Sequence, residues 1–324
     1  MVATLRNEGP WLLEWIAHNK AIGFDAIVVA SNDCTDGTDA MLDRLQELGT
    51  LRHIENRPPF TPKNIQLSAY AKARATPEVA GADWIMPLDA DEFLNIHLGS
   101  GRVQDLVASL PREVEAIPVS WRLFGTSGLR GLPEGSVCES YTLAASGKTN
   151  LNYVKVLFRN HQRFPILKVH APHVLDDTPE EALFDCIIMT PSGLRLPERA
   201  LTTKGRQLTR LQQNQTRWDV AQINHYITKT PEQYVLKKLR GNAVLGLEAA
   251  PVLSRAEFAA FNQNQETDLS IRRSAEARNE VLDQLMGDPR LRELHERAVE
   301  SLHKRLSKLS AAQSEFLQEI RAEV

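Results

Sequence analysis

Several things are scarce in this 324-residue sequence, and each scarcity removes a class of function. There are three cysteines, Cys34, Cys138 and Cys186, an odd number with no two at metal-ligand spacing. That argues against a disulfide framework or a structural zinc and predicts a reducing, cytoplasmic setting. No apolar run reaches the roughly 18 residues that a membrane-spanning helix requires. No basic stretch followed by an apolar core stands near Met1, as a secretory signal would have. The first predicted strand begins almost at Met1, however, so that absence weighs little. Positive charge is not in excess either: 38 Lys and Arg against 41 Asp and Glu give a net charge of −3. Nucleic acid therefore has no electrostatic claim as the main partner. There is no internal repeat and no low-complexity tract.

What is present is an alternation of short apolar runs and amphipathic segments. Val2 to Leu5, Ala26 to Ala30, Leu51 to Ile54 and Trp84 to Leu88 read as strands. Between them, Pro10 to Gly23, Ala40 to Leu48 and Ile65 to Ala75 read as helices, with Pro10 in a first turn and Asp36 or Thr38 as a cap. This β-α order predicts an α/β fold, a Rossmann-like mostly parallel sheet with helices on both faces. Further strands are expected at Ala116 to Phe124, where Pro118 suggests an edge or bulge, and at Tyr153 to Arg159. A helix is expected from Glu232 to Gly241, and from Arg255 onward the sequence is helical in character. The organisation expected is a domain over residues 1–250 and a helical C-terminal extension over 251–324. That extension could pack on the body, form a homodimer, or meet an anionic membrane surface through Lys304, Arg305 and Lys308.

In such sheets ligands lie outside the carboxyl ends of the strands. Two acidic loops follow strands: Asn32, Asp33 and Asp36 after the second, and Asp89, Asp91 and Glu92 after the fourth. Carboxylates at the end of a buried strand are costly unless a cation meets them. Asp89 and Asp91 have the i, i+2 spacing that lets two carboxylates flank one hard cation, Mn²⁺ or Mg²⁺, which also bridges to substrate phosphate. Capping and salt bridging would account for the same acids. Downstream, His225 follows an apolar run and could be a further metal ligand. Lys238 and Arg240 could neutralise a diphosphate, and Lys155 could add charge near it. His170 and His173 lack the further ligands that a zinc site needs.

Four stretches together carry a family resemblance. They are Asn7-Glu8-Gly9-Pro10-Trp11-Leu12-Leu13-Glu14-Trp15, Asn32-Asp33-Cys34-Thr35-Asp36-Gly37-Thr38, Leu88-Asp89-Ala90-Asp91-Glu92-Phe93, and Asn224-His225-Tyr226 with Lys238-Leu239-Arg240-Gly241. In this order they resemble family-2-type glycosyltransferases of the GT-A fold, over about residues 1 to 245. The resemblance implies a nucleotide-diphosphate sugar donor, a UDP-sugar foremost, and a divalent metal. It implies Asp91 as the main metal carboxylate, Asp89 nearer the ribose or a bound water, and His225 as a metal ligand. Asn7, Glu8, Asn32 and Asp36 would then lie toward the nucleoside, although Ser31-Asn32 replace the two acids usual there. The acceptor would be a hydroxyl-bearing glycan or lipid-linked molecule, attacked with inversion. No mark singles out the base, for which Glu92, Asp176 and Asp177 are the candidates. The rivals are a nucleotidyl- or phosphoryl-transfer enzyme, for which Gly9 alone makes a poor phosphate loop, and a non-catalytic carbohydrate-binding module on the same fold.

Overall fold

The computed structural model describes residues 1–324 apart from 61–63, 148–150, 161, 176–177, 180, 182–184, 203–207 and 241–251. Strands Val2–Leu5, Val28–Ser31 and Arg52–Glu55 form a parallel sheet with Val28–Ser31 in the middle. Helices Gly9–Ala21, Thr38–Glu47 and Ile65–Arg74 follow these strands in turn, as the hydrophobic periods predict. The fourth expected strand is shorter, Trp84–Ile85, but its continuation runs beside the first. Val2 N donates to Met86 O and Leu88 N to Val2 O, both at 3.0 Å. The chain therefore leaves Leu88 at the same sheet edge at which it leaves Leu5 and Ser31.

The second half of the sheet departs from the mostly parallel expectation. Val114–Leu123 pairs antiparallel with Val154–Arg159, and Glu92–Ile96 pairs antiparallel with Ala221–His225. The sheet is mixed and the class remains α/β. Glu92–Ile96 was not among the strands expected from the sequence. Pro118 lies inside the long strand, paired with Val156. On its other side Ile187–Met189 joins the start of that strand and Ala221–His225 its end. Pro118 falls in the gap between them, so its missing N–H breaks no ladder there.

Helices Ala275–Met286 and Pro289–Leu306 pack against the first helix, Gly9–Ala21. The approach is close: a Cβ on Gly9 would lie 2.7 Å from that of Ala298. Asp288 caps the second of these helices through Leu291 N at 2.8 Å, and it grips Arg44 with two bonds of 3.1 and 2.6 Å. The first helix is thus covered by the sheet on one side and by the C-terminal helices on the other. That explains why Glu14, His18 and Asn19 are buried in it along with its apolar residues. The expected boundary near residue 250 falls among residues outside those described.

Candidate active site

The site begins with what happens to the chain as it leaves the first two strands. Asn7 turns in the left-handed region (φ 55°), and its Oδ1 accepts from Thr35 N at 2.7 Å, tying the two loops together. Asp36 accepts from Gly9 N at 3.1 Å and Thr38 N at 3.0 Å, so it holds the starts of both following helices. Glu8 N donates to Thr38 Oγ1 at 2.9 Å, and the Glu8 carboxylate pairs with Arg240. Asn32 reaches the same edge, but its amide is turned to Asp33 at 3.1 Å and stays outside the cleft that the others line.

The acid cluster divides into two halves with different partners. Lys155, fully buried on the strand Val154–Arg159, holds Asp89 at 2.9 Å and Glu92 at 3.2 Å and donates to Val169 O at 2.9 Å. Burial would discharge this ammonium, but Asp89 and then Glu92 more than offset it and hold its pKa above the ordinary value. Glu92 also accepts from Asp89 N at 3.0 Å, which fixes the turn between the strands. Its carboxyl is enclosed, and burial pushes it up to about 8 against the pull of Lys155. Arg159, four residues along from Lys155, is on the same face but far from the acids: its guanidinium covers Trp84 at 4.6 Å.

Glu92 has a consequence for pH. Its folded-state value, about 8, lies above the ordinary 4.5, so the proton it keeps favours the folded state. That contribution is complete below the ordinary value and is lost as pH climbs through the raised one. The melting temperature is expected to fall between about pH 5 and pH 9, and Glu92→Gln to flatten the fall. Differential scanning calorimetry across this range tests it, and parallel profiles for the two proteins would refute it.

Asp91 forms the other half. Its backbone carbonyl accepts from Tyr226 N at 2.8 Å, and its carboxylate lies 3.3 Å from His225 Nε2 and against the ammonium of Lys237. Burial alone would raise this carboxyl, but Lys237, His225 and Lys229 outweigh it and hold the group well below the usual range. Strand alternation aims His225 here, since its neighbours Asn224 and Tyr226 bond to each other at 3.0 Å on the other face. His225 packs edge-on against Trp121 at 4.1 Å, and its burial disfavours the charged imidazolium.

Lys237 was missed by the sequence reading, which chose Lys238. Lys238 is turned to Glu257 at 2.5 Å and covers the Tyr234 ring. Adjacent helical residues diverge by about 100°, so only one of the pair can face the acids. Arg240, the other expected cation, donates to Arg6 O at 2.7 Å besides pairing with Glu8. Asp176 and Asp177 lie outside the described residues. His170 bonds to Val154 O at 2.9 Å beside Trp121, and among the described residues no group of three His, Cys, Asp or Glu side chains forms a metal cage.

Asn7, Glu8, Trp11, Asp36, Lys229, Lys237, Arg240 and Arg305 line one narrow cleft at the carboxyl edge of the sheet. Arg305 comes from the C-terminal helix Pro289–Leu306. A wider, largely apolar cleft around Phe24, Trp84 and Val103 lies at the opposite strand ends and gathers no comparable polar set.

No family model matches the chain. A glycosyltransferase family 92 protein of Ricinus communis is 28% identical over 143 residues, 43% of this chain and 25% of the relative. A glycosyltransferase family 92 protein of Oryza sativa subsp. japonica is 26% identical over 142 residues, 43% of this chain and 23% of that one. The chain therefore spans about a quarter of the length of the curated relatives it matches. Among solved structures, that of S. aureus TarS aligns over 79% of this chain and 40% of its own at 15% identity, with a TM-score of 0.32.

Proposed function

We propose that the chain transfers a sugar from a nucleotide-diphosphate donor, a UDP-sugar foremost, to a hydroxyl-bearing glycan or lipid-linked acceptor, with inversion. The fold would be of the GT-A type. The observation that carries this is the convergence of Asp91, His225 and Lys237 with the cation-lined cleft at the carboxyl edge of an α/β sheet. The names of the two family 92 relatives agree with glycosyl transfer.

The donor set suits Mn²⁺ or Mg²⁺. Asp91 and His225 bring one ionised carboxylate and one neutral imidazole within 3.3 Å, and a cation, the Lys237 ammonium, already meets that carboxylate. Diphosphate oxygens and water would complete the shell, as is usual for these ions. The bound metal would offset the negative charge that grows on the departing nucleoside diphosphate. Lys237 would be released from Asp91 to face the phosphates. Lys155 would hold Asp89 still, so that its outer oxygen can receive a donor hydroxyl. Glu92 fits a positioning role beneath Asp89 better than that of the base, because its carboxyl is enclosed.

A thermal-shift screen of UDP, GDP, CDP and ADP with Mn²⁺ or EDTA tests the proposal. At a hundredfold excess over Kd, binding stabilises by about 2.7 kcal/mol, several degrees of melting temperature. At least one nucleotide is expected to do so in a metal-dependent way. No shift with any of the four would refute the donor assignment.

A further inference from the structure

We infer that the C-terminal helix Pro289–Leu306 is part of the donor site, and that Arg305 grips the donor's diphosphate independently of any metal. The inference rests on the donor reading above and extends it to a residue outside the expected catalytic body.

The charges around the cleft carry the argument. Its acids are already engaged: Glu8 with Arg240, and Asp36 with the backbone at Gly9 and Thr38. Lys237 and Arg240 likewise have carboxylate partners. Two lining cations have none among the described residues. Lys229 is 4% exposed, held in a left-handed turn (φ 49°) with its ammonium 4.8 Å from the centre of the Trp11 ring. Arg305 is half-buried on the cleft wall, and its guanidinium forms no hydrogen bond or ion pair among the described residues. A half-buried guanidinium with five donors and no acceptor is poorly satisfied, and a phosphate matches its planar fork.

The geometry also makes this more than a surface arginine. Ala298 and Leu302 line the same cleft, two turns and one turn before Arg305 on the same helix. Ala298 meets Gly9 at the closest approach of the two helices, and Asp288 locks the start of the helix to Arg44. Arg305 is therefore presented from a fixed element.

Isothermal titration in EDTA, with whichever of UDP, GDP, CDP or ADP the wild type binds, tests the inference. Arg305→Gln is expected to weaken binding of the diphosphate by about tenfold. It should leave binding of the corresponding nucleoside unchanged, whereas a merely structural role would weaken both. Arg305→Lys should recover part of the loss, and it carries the comparison if Arg305→Gln melts earlier than the wild type. If no diphosphate binds the wild type with or without Mn²⁺, the donor reading fails. If the wild type binds one only when Mn²⁺ is present, or if both variants match the wild type within about twofold, the inference alone is overturned.

Discussion

Asp91→Ala is expected to abolish metal-dependent nucleotide binding and to lower glycosyl transfer by about 10²–10³-fold, while leaving the protein nearly as stable as before. The reason for the second half lies in the partners. Removing one member of a buried ion pair usually costs about 3–5 kcal/mol, because the other is stranded. Here Lys237 is 25% exposed and can turn its ammonium to the cleft water, and His225 is held neutral by burial. Neither of these two partners is stranded, and the desolvation of Asp91 itself is relieved. The check is paired: the Mn²⁺-dependent thermal shift with the responsive nucleotide, and the denaturant midpoint. A variant that keeps the metal-dependent shift would move the metal site elsewhere. A variant that loses several kcal/mol would make Asp91 a structural ion-pair residue first.

Lys155→Met is expected to do the reverse within the same acid cluster. Lys155 and Glu92 both have 0% side-chain exposure, and Asp89 has 32%. At about pH 9, above the raised value of Glu92, taking away the ammonium leaves its carboxylate enclosed with no cation and Asp89 facing it, at a cost of about 3–5 kcal/mol. Adding Glu92→Gln should restore about half or more of that, because the stranded carboxylate is then gone. Urea unfolding of the wild type, the two single variants and the double variant closes the cycle. Additive losses would show that Lys155 and Glu92 do not act on one another.

Much of the edge was legible in the sequence, for local reasons. Asp36 or Thr38 was expected to cap the second helix; its cap position is Gly37, and Asp36 just ahead of it accepts from Thr38 N, the first N–H of the helix. Asp89 and Asp91 were placed by the apolar run that ends in them, and His225 by the apolar residues ahead of it. What the sequence could not resolve was pairing across distance. Nothing local separates Lys237 from Lys238, since only the angle at which their helix docks decides which of them meets Asp91. Lys155 was expected to lie near phosphate, yet it is spent on Asp89 and Glu92, which share no local pattern with it. Arg305 lay within a basic run that reads as a solvated or membrane-facing surface. Its direction depends on where Ala298 meets Gly9. The antiparallel half of the sheet was illegible for a related reason, since strand direction is set by partners rather than by an apolar run.

The pairing of Glu92–Ile96 with Ala221–His225, in which His225 stands opposite Glu92 and Ala221 opposite Ile96, sets which changes of chain length the protein can absorb. Side chains alternate faces along a strand, so a slip of one residue in either partner would exchange the two faces of that strand. In Ala221–His225 such a slip would turn Asn224 to Asp91 and put His225 in the core beside Phe93. An insertion or deletion of a single residue inside Ala221–His225 would thus remove the imidazole from the acids without altering any residue of the site. Exposed loops between the two strands tolerate added residues far more readily.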